Sequence, residues 1–110
     1  MEGLHCWSNI PANEEAQYLR YLHRHLFHIK VIIDVTHNNR DIEFLSLKHA
    51  VDHYLLNLFP KTINNVPDMG SMSCEMVAEA LLKYFDADYV EVSEDGENGA
   101  IVRKDFNYNV

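Results

Sequence analysis

The chain has 110 residues, 47% of them apolar, and a formal net charge of −8. That length supplies one core and no second domain, and lysines and arginines scattered singly exclude a phosphate-backbone partner, which needs clustered cations to displace counterions, so no nucleic acid is expected. Each apolar segment is too short to span a bilayer, "MEGLHCW" lacks the basic and apolar regions of a signal peptide, and Cys6 and Cys74 form no CxxC. The expectation is a cytoplasmic protein in a reducing compartment, with no membrane partner.

In chain order, "GLHCW" is a first apolar segment with His5 at its centre. "LFHIKVIIDV", residues 26–35, has the β-branched content of a buried strand and stops at "THNNRD", which is dense in turn formers. From Phe44 the period becomes helical: Phe44, Leu47, Val51, Tyr54, Leu55 and Leu58 predict an amphipathic helix over 43–59, ended by Pro60. The next stretch, 60–73, is a loop bracketed by prolines. Ser73 then caps a second helix with Met76, Val77, Ala80, Leu81, Tyr84 and Phe85 as its buried stripe. "DYVEVSE" and "GAIVRKD" alternate as strands about the turn "DGENG". Strand, strand, helix, helix, strand, strand is the order of an α+β domain over residues 1–110, with a four-stranded antiparallel sheet carrying two helices on one face.

"LHRHLFHIKV" places three of the seven histidines within six residues. On a strand, His23 and His25 project to one face at a spacing that lets two imidazoles reach one ion, while Arg24 faces away. If "GLHCW" pairs with this strand as a hairpin does, His5 completes a three-histidine set. Three neutral imidazoles suit zinc and leave a fourth position open, the pattern of a catalytic rather than a structural site. An HxH pair serves equally as a solvated or hydrogen-bonded face, and spacing alone leaves both readings open.

Read in order, the residues from His5 to about Val102 resemble the 6-pyruvoyl-tetrahydropterin and 6-carboxytetrahydropterin synthase family. "GLHCW" looks like the family's first strand end with its zinc histidine, and "LHRHLFHIKV" resembles the motif carrying the other two zinc ligands. "DIEFLSLKHAV" is similar to the start of the family's first helix, "SMSCEMVAEALL" to that of its second, and "VEVSEDGENGA" to the strand ending in the glutamate that grips the pterin. The resemblance implies the tunnelling fold with its first strand shortened, zinc at His5, His23 and His25, and a pterin or related purine-like ligand. Glu94 would be the ring's anchor, since a carboxylate can accept two parallel hydrogen bonds from the amino and ring N–H groups. It also implies a homohexamer, a dimer of trimers that pairs the two free sheet edges of each subunit with those of its neighbours.

The same comparison exposes departures. The family's cysteine, a few residues before the histidine pair, has no counterpart in "EEAQYLRYL", and Phe59 and Pro60 stand where its proton-relaying Asp-His pair belongs. The resemblance therefore implies a ligand-binding protein whose usual catalytic groups are missing, or alternatively a zinc-dependent lyase on a dihydroneopterin-type substrate using substitute acid and base groups. The substitutes would be Glu14 and Glu15, since a glutamate replaces the cysteine in some members, or Asp52 and His53, an Asp-His pair inside the first helix. Cys6 reads as a small buried hydrophobe on the face opposite His5, and Cys74 as a helix-start thiol whose pKa the dipole would lower, with nothing to bring it near the histidines. Glu75 reads as an acidic helix start, and His28 and His37 as surface residues.

Overall fold

The computed structural model describes residues 1–62 and 64–105; Ile63, within the predicted loop, and 106–110, the end of the expected domain, lie outside the described residues. The elements are β1 (Glu2–His5), a 3-10 turn (Gln17–Arg20), β2 (His23–Ile32), α1 (Phe44–Leu58), α2 (Cys74–Phe85), β3 (Tyr89–Glu94) and β4 (Asn98–Arg103). The strands form one four-stranded antiparallel sheet in the order β1-β2-β3-β4, so the chain is α+β as expected. Both helices intervene between the sequence-distant neighbours β2 and β3.

Alternation sets the two faces of the sheet. In β2, Phe27, Ile29 and Val31 point inward, and the register Ile29↔Val92 and Val31↔Val90 puts the inward residues of β3 beside them. With Val102 of β4, Val51 and Leu55 of α1, and Val77, Ala78 and Leu81 of α2, they make one core between the helices and this face. The opposite face carries Arg24, paired with Glu2 across β1 and β2.

Helix ends follow local chemistry. The Ser73 hydroxyl accepts the Met76 N–H at 3.2 Å, and α2 stops where Asp86 turns left-handed (φ 50°). There Asp86 N–H donates to Lys83 C=O and Ala87 N–H to Leu82 C=O, the paired bonds of a Schellman ending. The buried stripe of α2 is Cys74, Val77, Ala78 and Leu81, rotated from the expected one: Met76 is 53% and Tyr84 65% exposed. Small residues let the backbone of α2 approach β3 and β4, and the larger side chains are turned to its flanks, where Tyr84 stacks on Tyr54 with ring centroids 4.2 Å apart. In α1, Val51 and Leu55 are buried but Phe44 is 86% exposed, so the apolar period overstates how much of this helix meets the core.

Two expectations about strands are corrected. β2 begins at His23, three residues before the apolar run, because β1 pairs with it there, and it ends at Ile32 rather than Val35. Asp88 causes the early end: its N–H donates to Ile32 C=O and its carboxylate accepts the Asp34 N–H, drawing the chain off the ladder. Nor does the sheet have two free edges. The loop after α1 lies along β1, with Leu4 N–H donating to Pro67 C=O (2.9 Å), Met69 N–H to Leu4 C=O (2.7 Å) and Cys6 N–H to Gly70 C=O (2.8 Å). The ladder past β1 is thus taken by the chain itself. Among the described residues, no helix is long and apolar enough to cross a membrane.

The rotated stripe of α2 has a direct consequence for stability. Leu81→Ala should lower the unfolding free energy by about 2–5 kcal/mol, whereas Met76→Ala should cost under about 1 kcal/mol. Denaturant midpoints of the two variants measure this, and a larger loss in Met76→Ala than in Leu81→Ala would mean that the other face of α2 is the packed one.

Candidate metal centre

The pairing of β1 with β2 creates the site. His5 lies directly opposite His23 and Gly3 opposite His25, so all three imidazoles leave the helix-covered face at one end of the core. Gly3 allows a close approach there: a Cβ would meet Met69 Sδ at 2.7 Å and the Phe27 ring at 3.1 Å, so these side chains would have to shift. The ring centroids are 4.6 Å (His5–His23), 5.3 Å (His5–His25) and 5.0 Å (His23–His25) apart, all edge to face. One ring nitrogen from each histidine lies within 4.8 Å of those of the other two.

Each ring is oriented by its other nitrogen. His5 Nδ1 lies 3.0 Å from Met72 C=O, His23 Nδ1 2.9 Å from Tyr21 C=O, and His25 Nδ1 2.6 Å from Asp95 Oδ2. All three partners only accept, so every Nδ1 must carry a proton and Nε2 is the nitrogen of each ring left to meet a metal. This is the arrangement by which metal-binding imidazoles are fixed in tautomer and direction. Asp95 has two further bonds, its N–H donating to Leu26 C=O and its Oδ1 accepting the Leu26 N–H; the Leu26 N–H, followed by His25, holds its carboxyl below the usual range. The turn itself places it: Asp95 and Gly96 both have positive φ (55° and 71°), as an Asp-Gly turn of type I′ requires.

Glu94, the last residue of β3, faces the same way. Its Oε1 lies 3.1 Å from His5 Nε2 and its Oε2 3.5 Å from His25 Nε2. Burial pushes the His5 pKa down, outweighing the Met72 carbonyl and Glu94, which favour the charged ring. The neutral form of His5 is thereby favoured, and with its proton on Nδ1 its Nε2 lone pair faces a carboxylate oxygen. A cation relieves that opposition, and three imidazoles beside one carboxylate are a donor set that fits zinc.

Cys74 is closer to the site than expected. Its Sγ lies 3.8 Å from Glu94 Oε1, and burial, with the charges of Glu94 and Glu75, pushes its pKa up to about 12, opposite in direction to the expected dipole effect. The thiol stays protonated and donates to Glu94. Cys6 follows the end of β1, is half-buried rather than buried, and lines the same cavity as His5 instead of facing away, because the strand and its alternation stop at His5.

That cavity, of about 450 Å³, is walled by His5, His23 and Glu94 on one side and by Trp7, Glu75 and Met76 on the other; a smaller one of about 220 Å³ lies past Cys74 and Asn98. Glu14 and Glu15, in the β1–β2 connection, line neither. Asp52 and His53 are exposed on α1, and Asp52 edges a separate, largely apolar cavity of about 320 Å³ beside Met1 and Phe44, where no metal-binding set converges. His28 and His37 are exposed, as expected. Phe59 is buried in the core, and Pro60 C=O accepts the Asp68 N–H. The reading by sequence missed Asp95 and the carbonyls of Tyr21 and Met72. Asp95 carried one signal, its place in an Asp-Gly turn directly after Glu94; a backbone carbonyl carries none.

No protein-family model and no curated protein matches the chain.

Removing the oxygen that orients His25 should loosen metal binding without abolishing it. Asp95→Ala is expected to weaken zinc binding by about 10- to 100-fold in competition with a chromogenic chelator, with Asp95→Asn intermediate. Separately, iodoacetamide at neutral pH should label Cys6 in the folded protein and leave Cys74 unmodified until denaturant is added, as peptide mass spectrometry would show.

Proposed function

We propose that the chain is a zinc-binding protein of the tetrahydropterin-synthase kind, which holds a pterin or related purine-like ring in the cavity beside the metal. One observation carries the metal reading: three histidines whose Nδ1 atoms are all committed as donors turn three Nε2 atoms toward one another. Bound there, zinc would act as a Lewis acid on an oxygen of the ligand. His5, His23 and His25 would hold it.

The cavity supports a flat, polar-edged ligand. Trp7 and Met76 offer apolar surface, while Glu75 and Glu94 are carboxylates able to accept paired hydrogen bonds from an amino group and a ring N–H. Binding is favoured over turnover because Glu14, Glu15, Asp52 and His53, the groups considered as acid or base, line neither cavity bounded by His5, and the Cys74 thiol holds its proton. The strand and helix order supports the tunnelling fold. Self-association toward a hexamer, in the cytoplasm, is part of the same reading: among the described residues no strand pairs with the outer side of β4, whereas a neighbour joining at β1 would have to displace residues 67–70.

Protein purified without chelator should carry about one zinc per chain by elemental analysis, lose it in His23→Ala and His25→Ala, and keep it in His28→Ala. Titration calorimetry should then show binding of a pterin or guanine-like ring, with little product from a dihydroneopterin-type substrate. Absence of zinc would overturn the metal reading; robust turnover would overturn the preference for binding.

A further inference from the structure

We propose, on the metal reading above, that Glu94 is the fourth protein ligand of this centre, making it a closed three-histidine, one-glutamate site that a small molecule reaches only by displacing the carboxylate. Ligands about 2.0–2.2 Å from a tetrahedral zinc lie roughly 3.3–3.5 Å from one another. The separations of Glu94 Oε1 from His5 Nε2 (3.1 Å) and of Oε2 from His25 Nε2 (3.5 Å) are close to such ligand-to-ligand edges, one from each oxygen of the carboxylate. Both contacts come from the ring nitrogens left over once each Nδ1 is taken by its own oxygen, Met72 C=O for His5 and Asp95 Oδ2 for His25, so the carboxylate meets the same Nε2 atoms that would bind the metal.

The carboxylate is also held where it stands. Its backbone is fixed opposite Phe27 in the β2–β3 ladder, on the inward face with Val90 and Val92, and the Cys74 Sγ lies against Oε1 at 3.8 Å. The next residue, Asp95, fixes His25 through Nδ1, so a single turn supplies one ligand and orients another. A carboxylate beside three imidazoles leaves a zinc site with one net positive charge instead of two. Glu75, which lines both cavities beside Glu94, is then the carboxylate left to grip a ring.

Cobalt(II) substitution separates a closed site from an open one, because visible absorption reports coordination number and exchangeable ligands. In the intact chain the cobalt spectrum should be that of a four-coordinate ion and should not change with excess azide. Glu94→Ala should let azide shift the spectrum, and the isosteric Glu94→Gln should weaken cobalt binding at least about tenfold. A wild-type spectrum that azide shifts as readily as that of Glu94→Ala, together with wild-type affinity in Glu94→Gln, would overturn the assignment while the histidine site stands. An intact chain that binds neither cobalt nor zinc would overturn the metal reading itself, and this assignment with it.

Discussion

The candidate site depends on the register of four residue pairs between β1 and β2. With His5 opposite His23 and Gly3 opposite His25, three imidazoles share one face and one end of the sheet. A slip of one residue would send His5 to the solvent face, since side chains alternate with a period of two. Two features hold that register. Gly3 lets β1 lie close against Met69 and Phe27, where a Cβ would force the Met69 thioether to shift, and the strand's outer side is bonded by the 67–70 loop through both the N–H and the C=O of Leu4. The loop that blocks the sheet edge is thus also the clamp on the histidines.

Around that register, each ring draws its orienting oxygen from a different part of the chain. Met72 belongs to the approach to α2, Tyr21 to the approach to β2, and Asp95 to the β3–β4 turn. Such convergence restrains the rings, most of all His5, whose turning would leave the part-buried Met72 carbonyl without its donor. It also couples the site to the fold, because the approach to α2, the approach to β2, the β3–β4 turn and the sheet must be in place before all three nitrogens are aimed.

The surroundings favour a bound cation over acid-base work. Burial favours the neutral form of His5 and keeps Cys74 protonated, so the groups nearest Glu94 supply lone pairs and one weak donor rather than a mobile proton near neutral pH. The apolar floor beneath them, Phe27 with Val90 and Val92, lowers the local dielectric and strengthens any charge held above it.

Much of this was legible in the residues alone. The β-branched run, the two helical periods, Ser73 as a cap and the Asp-Gly turn are local signals, written in side chains that act on their own backbone, and they are enough for the α+β order and for the idea of a His5, His23, His25 set. The position of Glu94 at a strand end was equally readable, but its distance to His5 was not. Tertiary structure decided what depends on strands and loops far apart in the chain: which face of α2 packs, that the edge of β1 is covered, that Cys74 lies behind Glu94, and that Asp95 holds His25. Those contacts join residues separated by tens of positions, and a backbone carbonyl such as that of Met72 or Tyr21 looks the same in every sequence. Local pattern therefore named the candidate histidines, while the packing of distant segments determined how their rings are oriented and which carboxylate is set against them.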